Sequence, residues 1–178
     1  MKLTPNGKKM AEFPLEPMYA KAVIAAHEFH CVDEVVAIVA MLSIDTVFFA
    51  TTEKSSKRLA EEARKHFSHP KGDHFLLLNI YIAYSQNSTN RFEWCKENAI
   101  NYKSMMKVDS IVEQLREYCA SASLELKYTF ENFGKKASKY DEDNICKAFT
   151  SGFFLQSVAL QLDGTYATLI DHQVYIFV

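Results

Sequence analysis

The distribution of helix-breaking residues is the feature that most constrains the fold of this chain. All four prolines lie at or before position 70, and the 178 residues include only five glycines. Long windows without these residues favour helices, because neither a missing backbone N–H nor a very flexible backbone interrupts them. We therefore predict a mainly α-helical fold.

Apolar residues recur at three- and four-residue steps within these windows, as expected for helices that pack on one face. The segment from Asp33 to Leu42 is apolar on almost every side, which indicates a central, buried helix. Ser55, Ser56 and Asp73 are typical N-cap residues, and we expect them to begin two later helices. The predicted helices span residues 17–29, 33–42, 57–67, 74–84, a short segment around Trp94, 102–119 and 141–160.

Other patterns follow the longest predicted helix. Residues 124–128 alternate weakly, which indicates a strand or an extended loop, and the polar stretch 131–139 is typical of a flexible loop. Alternating apolar runs at 166–170 and 174–178 flank Asp171-His172 and predict a β-hairpin. The expected architecture is a helical bundle with a C-terminal β-hairpin.

Composition narrows the class of function. With 20 basic and 22 acidic residues, the chain lacks the excess of positive charge typical of free-standing nucleic-acid binders. The four cysteines are widely spaced and form no CxxC pair, so we expect buried, reduced thiols. No stretch approaches the roughly 20 apolar residues of a membrane span, and the N-terminus lacks a secretory apolar region. We expect an intracellular chain that has no membrane partner.

The sequence lacks the motifs of a nucleotide hydrolase. A phosphate-binding P-loop requires GxxxxGK followed by Ser or Thr, and neither Gly7-Lys8-Lys9 nor Gly134-Lys135-Lys136 has this pattern. Asp33-Glu34 lies in an apolar helical segment, and Asp141-Glu142-Asp143 begins another helix. Neither acidic group is expected to bind magnesium.

Two other groups of reactive residues have simpler explanations. His66, His69, Asp73 and His74 are close in sequence, but no second pair of ligands accompanies them, so we expect no metal site. Cys31 could pair with His27 or His30 as a nucleophile, yet core packing is the interpretation that we favour. We therefore predict no catalytic residue in this chain.

Two longer segments resemble a known family. Residues 3–17 read LTPNGKKMAEFPLEP and residues 69–84 read HPKGDHFLLLNIYIAY. They are similar to the LTPxGxxMAEFPLxP and HPxGDHxxLLNxYxA segments of the helicase-associated (HA2) ratchet region of DEAH-box RNA helicases. WC at 94–95, NYKS at 101–104 and SGFF at 151–154 follow in the family's order, so the resemblance covers nearly the whole chain.

This resemblance implies a division of the chain into three parts. Residues 1–17 would be the end of a winged-helix domain and its linker, and residues 18–160 a helical ratchet domain. Residues 161–178, which include the predicted hairpin, resemble the truncated start of an OB-fold. Unpaired strand edges tend to recruit other chains, so we also expect either self-association through this hairpin or local disorder there.

The resemblance also implies a function. His74 matches the GDH motif, and Asn101, Lys103 and Ser104 match the family's NYRSL motif, so these residues are the expected RNA contacts. The chain would guide single-stranded RNA weakly beside RecA-like, winged-helix and OB domains, and would dock G-patch or splicing proteins. ATP and magnesium would bind elsewhere in the parent helicase, in the nucleoplasm or nucleolus, during splicing or ribosome assembly.

An alternative is a motor-less protein-interaction module related to the ratchet domain. The near-neutral charge favours this alternative. So do Val112 and Cys146, which stand where the family usually has arginine.

Overall fold

The structure is a computed structural model that describes residues 2–49, 54–128, 132–136 and 139–175. It confirms a mainly helical fold with a small C-terminal antiparallel sheet. The helices are α1 (Pro5–Glu12), α2 (Pro17–Glu28), α3 (Val32–Leu42), α4 (Lys54–Phe67), α5 (Asp73–Gln86), α6 (Arg91–Glu97), α7 (Tyr102–Ser121), α8 (Phe133–Lys136) and α9 (Glu142–Phe153). The strands are β1 (Val158–Leu160), β2 (Tyr166–Thr168) and β3 (Val174–Tyr175).

Helix α3 lies at the centre of the molecule, as its apolar sequence predicts. Its residues from Val32 to Met41 are all buried, and it packs against α2, α5, α7 and α9. The burial includes two carboxylates, Asp33 and Glu34. Asp33 forms an ion pair with Arg116 of α7, and its Oδ2 accepts a hydrogen bond from the backbone N–H of Lys127 at 2.6 Å. The ion pair thus ties the first turn of α3 to α7, and the hydrogen bond ties it to the chain that follows α7.

Helices α2 and α9 approach each other very closely. A Cβ atom at Gly152 would lie 2.2 Å from the backbone oxygen of Met18, so only glycine fits there. The edge-to-face contact between Tyr19 and Phe153, at 5.1 Å between ring centroids, extends this interface. Close packing at Gly152 therefore fixes the distance between α2 and α9.

The predicted end of α9 is wrong. The helix stops at Phe153, a single 3-10 turn covers Phe154–Gln156, and the next residues form β1 instead of continuing to Leu160. Strand β1 pairs antiparallel with β2, with Leu160 opposite Tyr166, and β2 pairs with β3. Hydrogen bonding to β2, the next strand along the chain, thus outweighs local helical propensity. The predicted hairpin is present as β2 and β3, although residues 176–178 lie outside the described part.

Two predicted N-caps are also wrong. Helix α5 begins at Asp73, and its N-cap is Gly72, whose φ of 104° suits glycine. Helix α4 already includes Lys54, so Ser55 and Ser56 lie inside its first turn. Asp141 does cap α9, since its side chain accepts a hydrogen bond from the backbone N–H of Asn144.

The stretch predicted as a flexible loop contains a helix. Within the described residues 132–136 and 139, the short α8 packs against α5, and the backbone oxygen of Gly134 accepts a hydrogen bond from Gln86 Nε2 at 2.8 Å. The ring of Phe133 lies 5.4 Å from that of Tyr81. The stretch 131–139 is mainly polar, so its composition gave no indication of these contacts with α5. Residues 124–128, all of them described, form no strand.

Trp94 packs between neighbouring helices, as its position in a short helix predicts. Its ring lies 6.0 Å from that of Phe67 and 6.2 Å from that of Tyr84, and it is half-buried. Across the described ranges, no helix combines the length and apolarity needed to cross a membrane.

Candidate nucleic-acid interface

The start of α7 brings together three of the four predicted RNA contacts. Asn101 is the N-cap, and its Oδ1 accepts a hydrogen bond from the backbone N–H of Ser104 at 3.2 Å. Lys103 is exposed in the same turn. Free backbone N–H groups and the helix dipole make such a helix start attractive to phosphate. The side-chain oxygen of Asn101, however, is already used in capping.

A short segment after α3 lies against this helix start. The backbone N–H of Asn101 donates to the oxygen of Val47 at 2.7 Å, and Phe48 forms an antiparallel bridge with Ile100. The Thr46 hydroxyl accepts a hydrogen bond from the backbone N–H of Phe48 at 3.2 Å, which fixes the turn. The segment 44–48 is therefore held in place next to the start of α7.

The same segment forms one wall of a groove of 520 Å³, which we call the large groove. Helices α4 and α5 form the other wall. The guanidinium of Arg64 lies 4.7 Å from the centre of the Phe48 ring. The apolar lining consists of Met41, Leu42, Ile44, Val47, Phe48, Leu76 and Leu77, and the polar lining of Asp45, Thr46, Arg64, Lys65, Ser68 and Asp73.

His74, the fourth predicted contact, lies at the start of α5 beside a second groove. This small groove has a volume of 390 Å³ and is lined by Tyr19, Leu42, His74, Phe149, Thr150, Phe153, Gln156 and Ser157. The imidazole lies 4.7 Å from the Phe149 ring in an edge-on contact. Partial desolvation of the imidazole in the groove lowers the pKa of His74 below its usual value, because it disfavours the charged form, while the carboxylate of Asp73 opposes this shift. His74 is therefore neutral at pH 7.

Leu42, at the end of α3, lines both grooves. The large groove also adjoins the start of α7 through Val47. The structure thus places His74 apart from Asn101, Lys103 and Ser104, and what the two locations share is a boundary with the large groove through Leu42 and Val47. Sequence reasoning did not identify these grooves, and the segment 44–48 carries no pattern that could have revealed them.

The groups weighed as metal or nucleophile sites have structural partners. His69 Nε2 lies 3.3 Å from Glu142 Oε1, and His66 packs edge-on against Phe67. Within the described residues, no three His, Cys, Asp or Glu side chains come together as metal ligands do. Cys31 is buried, which raises the pKa of its thiol to about 12 and makes it a poor nucleophile. His27 Nδ1 accepts a hydrogen bond from the backbone N–H of Glu125.

The two positions where arginine is usual in the resembled family differ in environment. Val112 is 4% exposed and packs in the core, whereas Cys146 is half-buried on α9. A cation at Val112 would point into the protein in this structure. Its absence therefore removes little positive charge from the surface.

Comparisons with known proteins agree with the resemblance. Residues 16–77 match the family described as the ratchet-like helicase associated domain, HA2. The chain is 37% identical over 171 residues to the ATP-dependent RNA helicase DHX33 of Mus musculus, covering 96% of this chain and 23% of that protein, and equally identical to DHX33 of Homo sapiens, covering 22% of it. It is 32% identical over 173 residues to the probable ATP-dependent RNA helicase DHX35 of Pongo abelii, covering 97% of this chain and 22% of that protein. The chain thus spans less than a quarter of the length of these relatives.

Proposed function

Because this chain contains the ratchet-like helicase-associated (HA2) domain and is a homologue of the DEAH-box RNA helicases DHX33 and DHX35, we propose that it guides single-stranded RNA in such an enzyme. ATP and magnesium would be bound by RecA-like domains, which would supply the unwinding activity. Winged-helix and OB domains would be neighbours of this chain, and G-patch or splicing proteins would dock on it. The setting would be the nucleus, in splicing or ribosome assembly.

The observation that supports this proposal is that the large groove borders both predicted contact regions, through Val47 at the start of α7 and through Leu42, which also lines the groove beside His74. Backbone N–H groups and Lys103 offer contacts for phosphate at one end, and the grooves offer apolar surface for bases along the way. Because the net charge is −2, few phosphates can be neutralised. We therefore expect the chain to bind single-stranded RNA weakly, with an affinity that depends only slightly on salt concentration.

A fluorescence anisotropy titration of the 178-residue chain with a labelled single-stranded RNA over a salt series tests the proposal. Replacing Lys103 with alanine should weaken binding and reduce the salt slope by about 1. The matched control is Lys127→Ala, an exposed lysine whose backbone contacts the opposite end of α3. Equal effects of the two variants, or no binding at low salt, would contradict RNA guidance by this surface.

The second candidate is a motor-less protein-interaction module. The apolar lining of the large groove favours it, since such grooves also accept peptide side chains. Titration with a G-patch peptide would distinguish the two functions. Peptide binding by a chain that does not bind RNA would favour the module.

A further inference from the structure

We propose that the small groove is a pocket for one unstacked nucleobase of a single-stranded RNA, held by stacking between aromatic rings. The inference rests on the proposed function, and it assigns a particular chemical group of the RNA to a particular part of the surface. The lining of the groove and the contacts behind it support this assignment.

Aromatic rings dominate the lining, and they hold one another in place. Tyr19 lies edge-on to Phe153 at 5.1 Å, and Phe149 lies 6.1 Å from Phe153. All three rings are half-buried, so part of each remains open to a ligand. Every nucleobase has a flat π-face, and stacking on such rings is a common way to bind single strands.

The backbone behind the rings is fixed by close packing. Tyr19 belongs to α2 and Phe153 to α9, and Gly152 allows these helices to approach each other within a distance that any side chain would prevent. Rings that are already positioned lose little conformational entropy when a ligand binds. The groove is therefore organised before a base enters it.

The charge of the groove suits a base better than a phosphate. In the described part of the chain, its lining includes no lysine, arginine, aspartate or glutamate. His74 is neutral at pH 7, so it can stack on a ring but attracts an anion weakly. A phosphate would lose its hydration here without gaining a cation.

Polar groups at the edge of the groove can meet the polar edge of a base. Ser157 supplies a hydroxyl and Gln156 an amide, while the Thr150 hydroxyl, which donates to the backbone oxygen of Cys146 at 2.8 Å, can still accept a hydrogen bond. The amide nitrogen of Gln156 donates at 3.2 Å to the sulfur of Met18, which is a weak acceptor. A base carbonyl or ring nitrogen would be a stronger partner, so this contact is readily exchanged. The volume of 390 Å³ falls within the range of about 300–1,000 Å³ that is usual for small-molecule pockets.

A set of RNA octamers tests the proposal, each with one nucleotide replaced by an abasic ribose so that the phosphates are unchanged. Their affinities for the 178-residue chain are measured by anisotropy. We expect the abasic site to lower affinity by about 5- to 150-fold at the position whose base enters the groove. The Phe149→Leu variant keeps an apolar side chain but lacks the ring. Its affinity for the intact octamer should fall to that of the wild type for the octamer with the abasic site.

Two further variants separate a binding effect from a folding effect. His74→Ala removes the imidazole from the lining of the groove, and it should reduce the loss of affinity that the abasic site causes at the same position. Phe29→Leu changes a half-buried aromatic at the opposite end of α2 and should leave it unchanged. Circular dichroism spectra of all variants establish that the helices remain folded.

The outcomes distinguish the nucleobase pocket from the more general proposal that the chain guides RNA. If the chain binds RNA but no abasic position matters, or if Phe149→Leu and Phe29→Leu behave alike, the nucleobase pocket is contradicted while RNA guidance stands. If the groove variants block an aromatic peptide and leave the RNA series unchanged, the groove belongs to a protein partner. If no octamer binds at low salt, both proposals are contradicted.

Discussion

Asp33 and Glu34 are adjacent carboxylates in the core, and their surroundings differ. Asp33 pairs with Arg116 and accepts the backbone N–H of Lys127, so its charge is compensated. Glu34 Oε2 is buried and has no hydrogen-bond partner in the described part of the chain. Because burial disfavours its charged form, the pKa of Glu34 is raised above the usual value. Asp33 therefore links elements, whereas Glu34 opposes folding when it is ionised.

The first prediction concerns stability and pH at Glu34. A raised pKa means that the folded state binds this proton more tightly than the unfolded state does. Stability should therefore fall as pH rises from the ordinary glutamate range through the raised pKa. Glu34→Gln should increase the free energy of unfolding at pH 7 by on the order of 1 kcal/mol, and the gain should disappear at low pH.

Urea denaturation of both proteins at pH 4 and pH 7 measures this difference. Glu117→Gln, which changes an exposed glutamate on α7, is the control and should show no such pH-dependent gain. A Glu34→Gln protein that is less stable than the wild type at pH 7 would mean that the carboxylate is stabilising.

At the scale of elements, the contact between α2 and α9 decides the shape of the small groove. The second prediction is that Gly152→Ala lowers the free energy of unfolding by about 1–3 kcal/mol, because the new Cβ would overlap the Met18 oxygen and separate the helices. Alanine favours helices more than glycine by at most about 1 kcal/mol, which does not compensate for the overlap.

Ser151→Ala is the matched control in the same helix. Among the residues that the structure describes, the Ser151 hydroxyl bonds only to the backbone oxygen of Lys147 one turn earlier, so its loss should change stability by less than about 0.5 kcal/mol. Thermal unfolding of both variants provides the comparison. Equal melting temperatures would show that α2 and α9 can move apart at little cost.

The third prediction concerns the C-terminal sheet. Its strands and the turn between them expose Leu160, Leu169, Ile170 and Val174, each more than half accessible to solvent. Exposed apolar surface and strand edges favour association with another chain. Deletion of residues 163–178 should leave helical content by circular dichroism almost unchanged. In sedimentation velocity, the deletion should shift any dimer towards monomer. Loss of the helical signal would instead show that the sheet is an integral part of the helical core.

Sequence patterns identified most helices because the packing of α2, α3, α5 and α7 follows local three- and four-residue spacing. They failed at the end of α9, since β1 forms by pairing with residues 166–168, and no local pattern encodes that partner. They also missed α8, whose few apolar residues contact α5. The fold class was therefore predictable, whereas elements that depend on pairing or packing with another segment were not.

For the candidate site, the residues and their surroundings differ in predictability. His74, Asn101, Lys103 and Ser104 came from motif resemblance alone, without any physical reason for grouping them. The grooves beside them arise where the end of α3, the segment 44–48 and the starts of α5 and α7 meet. Such a meeting depends on tertiary packing, so residue spacing could not reveal it.

At the scale of the whole molecule, the proposed RNA contacts and the buried ion pair lie at opposite ends of α3. The grooves and the start of α7 lie at the Leu42 end of α3, while the ion pair of Asp33 lies at the other end. A chain with a net charge of −2 can bind RNA at the Leu42 end of α3 only if contacts are concentrated there.

Photo-crosslinking with single-stranded RNA containing 4-thiouridine tests this central claim most directly, because the crosslinked peptides can be identified by mass spectrometry. We predict crosslinks in peptides that contain residues 41–48, the start of α5 near His74 and the start of α7 near Lys103, and their loss in competition with unlabelled RNA. Crosslinks concentrated in residues 124–128, beside Asp33, would contradict the account.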